Sequence, residues 1–246
     1  MSLSPTVLSP VLILAAYLFG SLSFAVLVSR WMGLDDPRTY GSGNPGATNV
    51  LRSGSKKAAI LTLLLDALKG FVPVLLVRVF APELGVGVLT VGLVGLAAFL
   101  GHLWPVFFRF QGGKGVATAA GVMLAWSPWL GLAVLLTWLA VAYLSRYSSL
   151  AAICACLAAP VYQMLFWDDV TLLLAMVPMC LLLVWRHEGN IRKLLAGTES
   201  RIGQKAASPA PAPHAPLHPH AHGGKHAAGH GRGRRGSKSS HSKGKH

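Results

Sequence analysis

Between Val7 and Ser29 the chain runs 23 residues without a charge, and apolar stretches recur at 57–80, 85–108, 116–145, 147–167 and 169–186. A helix needs about 20 apolar residues to cross a hydrocarbon core of about 30 Å, so this pattern confines the fold to membrane-spanning helices. Composition agrees. Of the 246 residues 53% are hydrophobic and only 12% charged, against about 25% charged in ordinary soluble domains.

The stretch 116–145 decides the span count. As one helix its 30 residues would extend about 45 Å, too long for a straight crossing. Trp126-Ser-Pro-Trp129 stands in its middle, and Pro128 between interface-seeking tryptophans reads as a turn between two shorter spans. The total becomes seven transmembrane helices. No positive region precedes the first run, as it would in a cleaved signal, so span one is retained with its N-terminus outside. The segments 30–56, 109–115, 146–149 and 187 onward then face the cytoplasm, carrying Arg30, Arg38, Arg52, Lys56, Arg109, Lys114, Arg146 and Arg192. The other side holds Glu83, Asp168 and Asp169, with Arg78 near the boundary. This is a strong positive-inside asymmetry, and six spans would put the last polar segment on the opposite face. The predicted fold is an all-α integral membrane domain over residues 1–205, with its polar loops on the cytoplasmic side.

From Ala206 the composition changes to Ala/Pro, then His/Gly, then Arg/Ser/Lys/Gly, with seven Lys/Arg, no acidic residue and eight of the ten histidines. Residues 206–246 cannot bury enough apolar surface to fold alone and read as a disordered basic tail. Its histidines are too scattered to make metal binding more than incidental. The net charge of +14 divides between this tail and the short loops beside the spans. That distribution suits anionic lipid and topology, not nucleic acid. Cys154, Cys156 and Cys180 all lie inside apolar runs and read as small buried hydrophobes.

Three polar segments interrupt the spans. Gly41-Ser-Gly-Asn-Pro-Gly-Ala-Thr-Asn-Val-Leu-Arg52 combines turn glycines with donors at Ser42, Asn44, Thr48, Asn49 and Arg52. Glycines let backbone N–H groups converge on an anion, and Arg52 can grip a phosphate bidentately. Phe110-Gln-Gly-Gly-Lys-Gly115 feeds directly into a helix-like run, a ready anion site with Lys114 as its cation. It is not a Walker A loop, because Gly115 and not Ser or Thr follows the lysine. His187-Glu-Gly-Asn-Ile-Arg192 places His187 and Asn190 three apart, on one face of a helical turn; read alone, it is a basic flank after the last span. Asp66 and Lys69, spaced i, i+3 within a span, can pair and lower the cost of burying both. Arg146-Tyr-Ser-Ser149 adds hydroxyls on the same face.

Together these elements resemble the bacterial acyl-phosphate-dependent glycerol-3-phosphate acyltransferase family. The resemblance covers roughly residues 8–203. It is carried by the 41–52 segment, Leu65-Asp-x-x-Lys-Gly70, Gly101-His-x-x-Pro-x-Phe107 with Phe110-x-Gly-Gly-Lys-Gly115, Arg146-Tyr-x-Ser149, and His187-x-x-Asn190 with Gly197-x-Glu199. It implies a multi-pass inner-membrane enzyme that moves a fatty acyl group from acyl phosphate to the 1-hydroxyl of sn-glycerol 3-phosphate, the first step of phospholipid synthesis. Lysophosphatidic acid and phosphate would be the products. The implied substrate ligands are Ser42, Asn49, Arg52, Lys114, Ser149, His187 and Asn190, with Gly112, Gly113 and Gly115 shaping the donor site. Ser42, Lys114, His187 and Asn190 would carry catalysis, without metal or cofactor. The base would be the substrate's own phosphate, or His187 would assist. The acyl chain would lie between helices within the lipid, and the enzyme that makes the acyl phosphate would be a transient partner.

The chemistry of the residues fits. Acyl phosphate is already activated, so no covalent nucleophile is needed, and no nucleophile–base pair stands out. The His-x-x-x-x-Asp element of thioester-dependent acyltransferases is also missing, since Phe107 follows His102 and Arg192 follows His187 at that spacing. A transporter of a small phosphorylated metabolite would also place basic residues among spans. Its site would sit near the midplane between repeats, whereas the motifs here gather on one face. A lipid-binding scaffold would not need so many polar elements.

Overall fold

Lipid offers the backbone no hydrogen bonds, so apolar runs must satisfy their own as helices. A computed structural model describes residues 4–166 and 170–204, and every regular element among them is helical. The first run divides into α1 (Pro5–Gly20) and α2 (Phe24–Trp31), bent by 40°. A short α3 (Ala47–Leu51) lies in the first polar segment, followed by the 29-residue α4 (Lys56–Leu84) and α5 (Val88–Leu103). The long uncharged run holds α6 (Val116–Trp126) and α7 (Pro128–Ser145). Then come α8 (Ser148–Phe166), α9 (Leu173–Arg186) and α10 (Glu188–Leu195), with a bend of 54° between the last two.

The turn expected at Pro128 is there. Ser127 caps α7, its hydroxyl accepting from Leu130 N at 3.5 Å, and Pro128 takes the first helical turn, where its missing N–H costs nothing. By length and apolar composition α4, Val88–Phe108, α7 and Ser148–Leu165 can each cross a membrane, and counting each bent pair as one span makes six. The seventh expected crossing, α6, has 11 residues and extends only about 16 Å, roughly half a hydrocarbon core. Leucines such as Leu63, Leu64 and Leu76 on α4 and Leu132, Leu136 and Leu139 on α7 stand exposed. A continuous apolar exterior of this kind is a lipid-facing surface, and the protein is a multi-pass membrane protein. Asp168, Asp169 and the tail 206–246 lie outside the described residues.

The first span departs from the single helix expected over 7–29. At Ser21–Ser23 the helix opens, and Ser21 returns its hydroxyl to Tyr17 O at 2.9 Å. The opening frees the Leu22 carbonyl, which accepts from the buried Lys69 Nζ at 2.7 Å. Hydropathy could not reveal this break, because Ser-Leu-Ser reads as part of an uncharged run. The partner that makes it tolerable lies 47 residues away on α4. The predicted Asp66–Lys69 pair forms, with Nζ 2.8 Å from Oδ1, and both side chains are almost fully buried.

Close backbone approaches hold the centre. A Cβ at Gly121 would lie 2.0 Å from Ala67 O, and one at Gly70 would lie 2.3 Å from Thr118 O, so α4 and α6 touch main chain to main chain. Small residues permit such contacts where helix association depends on packing. Thr118 Oγ1 adds a hydrogen bond to Asp66 O at 2.9 Å, and Arg78 holds Ala125 O at 2.8 Å near the other end of α6. Trp126, Val122 and Phe99 fill the adjoining core. The three described cysteines are free, with Cys156 and Cys180 buried. Gly121→Val should therefore separate α4 from α6 and lower stability by roughly 1–3 kcal/mol, a fall of several degrees in Tm. Thermal unfolding in detergent would show it, with Leu136→Val on the lipid-facing surface as an unshifted control.

Candidate functional site

In the first polar segment the backbone is shaped by one buried amide. Asn49 sits at 2% exposure, donating to Pro37 O at 2.6 Å and Tyr40 O at 3.1 Å and accepting from Ser42 N at 3.0 Å. Arg52 Nη1 also approaches Asn49 Oδ1 at 3.4 Å. Gly41 has φ +60°, and a side chain there would strike Asn49 Oδ1. Asn49 thus spends its hydrogen bonds on the fold of the loop, and it is Ser42 and Arg52 that the loop presents outward. Upstream, Arg38 pairs with Asp36 at 2.6 Å and holds its carboxyl below the usual range.

The second segment folds against the end of α5. Gly115 has φ +82°, a left-handed conformation natural to glycine, and a Cβ there would lie 2.2 Å from the Phe99 ring. The chain turns there into α6, whose first N–H groups have no partner within the helix. Lys114 stands at that helix start, and its ammonium donates to Asn190 Oδ1. Burial pushes the Lys114 ammonium down to about 8, with Arg186, Lys193 and Arg52 adding to the fall and Glu199 opposing it.

The third segment supplies the far wall. His187 closes α9, and its Nδ1 lies 2.8 Å from Leu183 O. A carbonyl only accepts, so Nδ1 carries the proton and Nε2 is left for other partners. Asn190 follows on α10, Nδ2 donating to Glu199 Oε1 at 2.6 Å, and Ser149 Oγ donates to the same oxygen at 2.8 Å. Arg52 Nη2 donates to Ser200 Oγ. The segment after α10 is tied down by Ile202 N donating to Arg146 O at 2.8 Å and by Arg201 over the Tyr147 ring at 5.9 Å.

These residues line one cavity of about 590 Å³. Ser42, Asn49, Arg52, Lys114, Gly115, Ser149, His187 and Asn190 all contribute to its wall. The three segments expected on one face therefore do converge. Gly112 and Gly113 do not reach the lining; both are buried one layer behind it. Beyond the polar end the same cavity continues along Ile60 and Leu63 of α4, Ala120 and Met123 of α6, Leu135, Trp138 and Leu139 of α7, and Ala152 and Ala155 of α8. One end suits anions and the other suits hydrocarbon.

Two contributors had no role assigned from the sequence. Glu199, part of the Gly197-x-Glu199 element, joins Ser149 and Asn190. Arg186, the last residue of the 169–186 run, donates from Nη2 to Gly112 O at 2.8 Å and to Gly113 O at 3.0 Å.

Known proteins share this sequence pattern and fold. A family model described as glycerol-3-phosphate acyltransferase matches residues 10–197. A glycerol-3-phosphate acyltransferase of Herminiimonas arsenicoxydans is 62% identical over 201 residues, covering 81% of this chain and 98% of its own. One from Ralstonia nicotianae is 62% identical over 203 residues, covering 82% and 98%. The crystal structure of PlsY (YgiH), an integral membrane glycerol 3-phosphate acyltransferase, in its glycerol 3-phosphate form has a TM-score of 0.74 at 42% identity, covering 79% of this chain and 96% of that one. Its lysophosphatidic acid form gives 0.72 at 41% identity, covering 78% and 94%.

The depressed Lys114 value has a direct readout. Labelling of Lys114 by an amine-selective reagent, followed by peptide mass spectrometry, should rise through a midpoint near pH 8. An ordinary lysine titrates at about 10.4. Inorganic phosphate should slow the labelling and raise the midpoint, because a neighbouring anion favours the charged amine. A midpoint near the ordinary value would show that the lysine is not buried as described.

Proposed function

Because this chain belongs to the glycerol-3-phosphate acyltransferase family, we propose that it transfers a fatty acyl group from acyl phosphate to the 1-hydroxyl of sn-glycerol 3-phosphate, releasing lysophosphatidic acid and phosphate. One observation carries the reading: a single cavity joins a cationic, hydroxyl-rich end to an apolar groove between α4, α6, α7 and α8. The groove takes the acyl chain. The Gly-rich turn, Lys114 and the start of α6 take the donor phosphate, and Arg52, Ser42 and Ser149 take the glycerol phosphate.

The reaction is direct. The substrate hydroxyl attacks the acyl carbonyl, a C–O ester bond forms, and the C–O bond to phosphate breaks as phosphate leaves with the bonding pair. Lys114 and the amide donors beside it stabilise the charge that grows on the departing phosphate. Holding two anions and an acyl chain in one cavity turns an encounter between substrates into a reaction within a complex. The hydroxyl proton has two takers in this chemistry, a substrate phosphate oxygen and Nε2 of His187. Since the phosphates are held by protein cations, metal is not required.

Topology follows the same reading. Enclosed by α4, α5 and α7, α6 serves as the seventh crossing, in the inner membrane with the N-terminus outside and the 109–115 loop on the cytoplasmic side. The cavity mouth then opens to the cytoplasm, where the basic loops lie and where the enzyme that makes acyl phosphate would deliver its product.

Purified protein in detergent, given palmitoyl phosphate and glycerol 3-phosphate, should form lysophosphatidate and phosphate at a rate unchanged by EDTA. Lys114→Ala should lower that rate by roughly a hundredfold or more while remaining in the membrane fraction. Absence of product from folded protein sinks the enzyme reading, and uptake of glycerol 3-phosphate into proteoliposomes would favour a transporter. The charged amine is the active form, so kcat/KM should fall as pH rises through about 8. Lys114→Arg should carry that limb upward, since arginine stays charged past about pH 12.

A further inference from the structure

Gly112 and Gly113 stand behind the cavity wall, held from two sides. From α9, Arg186 donates Nη2 to Gly112 O at 2.8 Å and to Gly113 O at 3.0 Å, with Nε to Gly113 O at 3.1 Å. From α5, His102 O accepts from Gly113 N at 3.1 Å, and a Cβ at 113 would lie 2.2 Å from His102 Nε2. The imidazole thus occupies the space a side chain would need. Its other nitrogen, Nδ1, lies 3.6 Å from Asp66 Oδ1, and Asp66 is anchored by Lys69, which in turn holds Leu22 O. The two sides are brought together by Trp104 and Trp185, whose rings sit 6.1 Å apart at the ends of α5 and α9.

This arrangement fixes one amide in particular. In a trans peptide the N–H points opposite to the C=O. Gly113 O is aimed at Arg186, which lies outside the cavity lining. The Lys114 N–H is therefore turned away from Arg186, and it has no hydrogen-bond partner among the described residues. Lys114 and Gly115 line the cavity.

We infer that Arg186 and His102 are positioning residues for the donor phosphate: they clamp the Gly112–Gly113 peptides so that the Lys114 amide and ammonium serve the same anion. Arg186 lies outside the cavity lining; His102 edges the cavity, and its role here is through its packing against Gly113. The inference rests on the acyl-phosphate reading above, and it concerns the donor alone, because Arg52 and Ser42 are set by the separate Asn49 network.

The test is a KM split. Arg186→Gln should raise KM for palmitoyl phosphate and the inhibition constant of inorganic phosphate by roughly tenfold or more, the loss expected for charge-assisted hydrogen bonds. KM for glycerol 3-phosphate and the thermal midpoint should hold. Arg186→Lys should recover part of the loss, since an ammonium reaches one carbonyl but cannot span two. His102→Asn keeps a polar group beside Asp66 but fills less space against Gly113, so a smaller rise confined to the same substrate is expected. A parallel rise in both KM values, or a fall in kcat alone, overturns the clamp. If the wild type turns over no acyl phosphate, the functional reading falls separately. Phosphate protection of Lys114 from amine labelling then decides the clamp, and protection at unchanged phosphate concentration in Arg186→Gln overturns it.

Discussion

The contact between α4 and α6 sets the depth of the site. Gly70 and Gly121 let the two backbones meet, and Thr118 Oγ1 reaches Asp66 O at 2.9 Å. That fixes the first turn of α6 level with Asp66, ten residues into α4. Ten residues of helix are about 15 Å. The Gly-rich turn that precedes α6 is consequently drawn inward beside helices whose outer faces are apolar. A full-length helix in place of α6 would have pushed that turn, and Lys114 with it, out to the surface. The shortness of α6 is what makes a recessed anion site possible.

A recessed polar turn must be satisfied without bulk water, and the buried charges are arranged for that. The Asp66–Lys69 pair is costly to bury, and each partner alone would be far costlier. Lys69 uses its remaining capacity on Leu22 O, the carbonyl released where the first span opens. Asp66 backs His102, and His102 backs Gly113. The break between α1 and α2, the ion pair in α4 and the Gly-rich turn are thus one connected set. Each supplies a partner that the next requires.

Some of this was legible in the residues and some was not. Uncharged runs reveal helices because lipid leaves no alternative, and Pro128 between tryptophans revealed the turn because proline cannot sit in a helix interior without cost. The convergence of Ser42, Lys114, His187 and Asn190 could be inferred from charge placement, which orders loops by side of the membrane. The opening at Ser21–Ser23 could not, since its residues are uncharged and its partner is remote in sequence. Arg186 was equally opaque: a basic residue at the end of a span is ordinary, and only the positions of Gly112 O and Gly113 O give it a task. Asn49, a substrate ligand by the resemblance, lines the cavity while its four hydrogen-bond partners all lie within the first loop.

The hydrogen bonds of the hydroxyls and the histidine bear on how the acyl group moves. A covalent route would need a serine hydroxyl bonded to an imidazole whose other nitrogen is oriented by a carboxylate. Here Ser149 donates to Glu199 at 2.8 Å, and the His187 Nδ1–H is spent on the Leu183 carbonyl. The Glu199 carboxylate is engaged by Ser149 and Asn190, so it does not orient the ring. A main-chain acceptor fixes the tautomer of His187 but adds little basicity compared with a carboxylate. These bonds favour positioning over nucleophilic activation. On the acyl-phosphate reading proposed above, that is the economy a mixed anhydride permits: its leaving phosphate is already stable, and the protein has only to hold the attacking hydroxyl against the carbonyl while cations receive the departing charge.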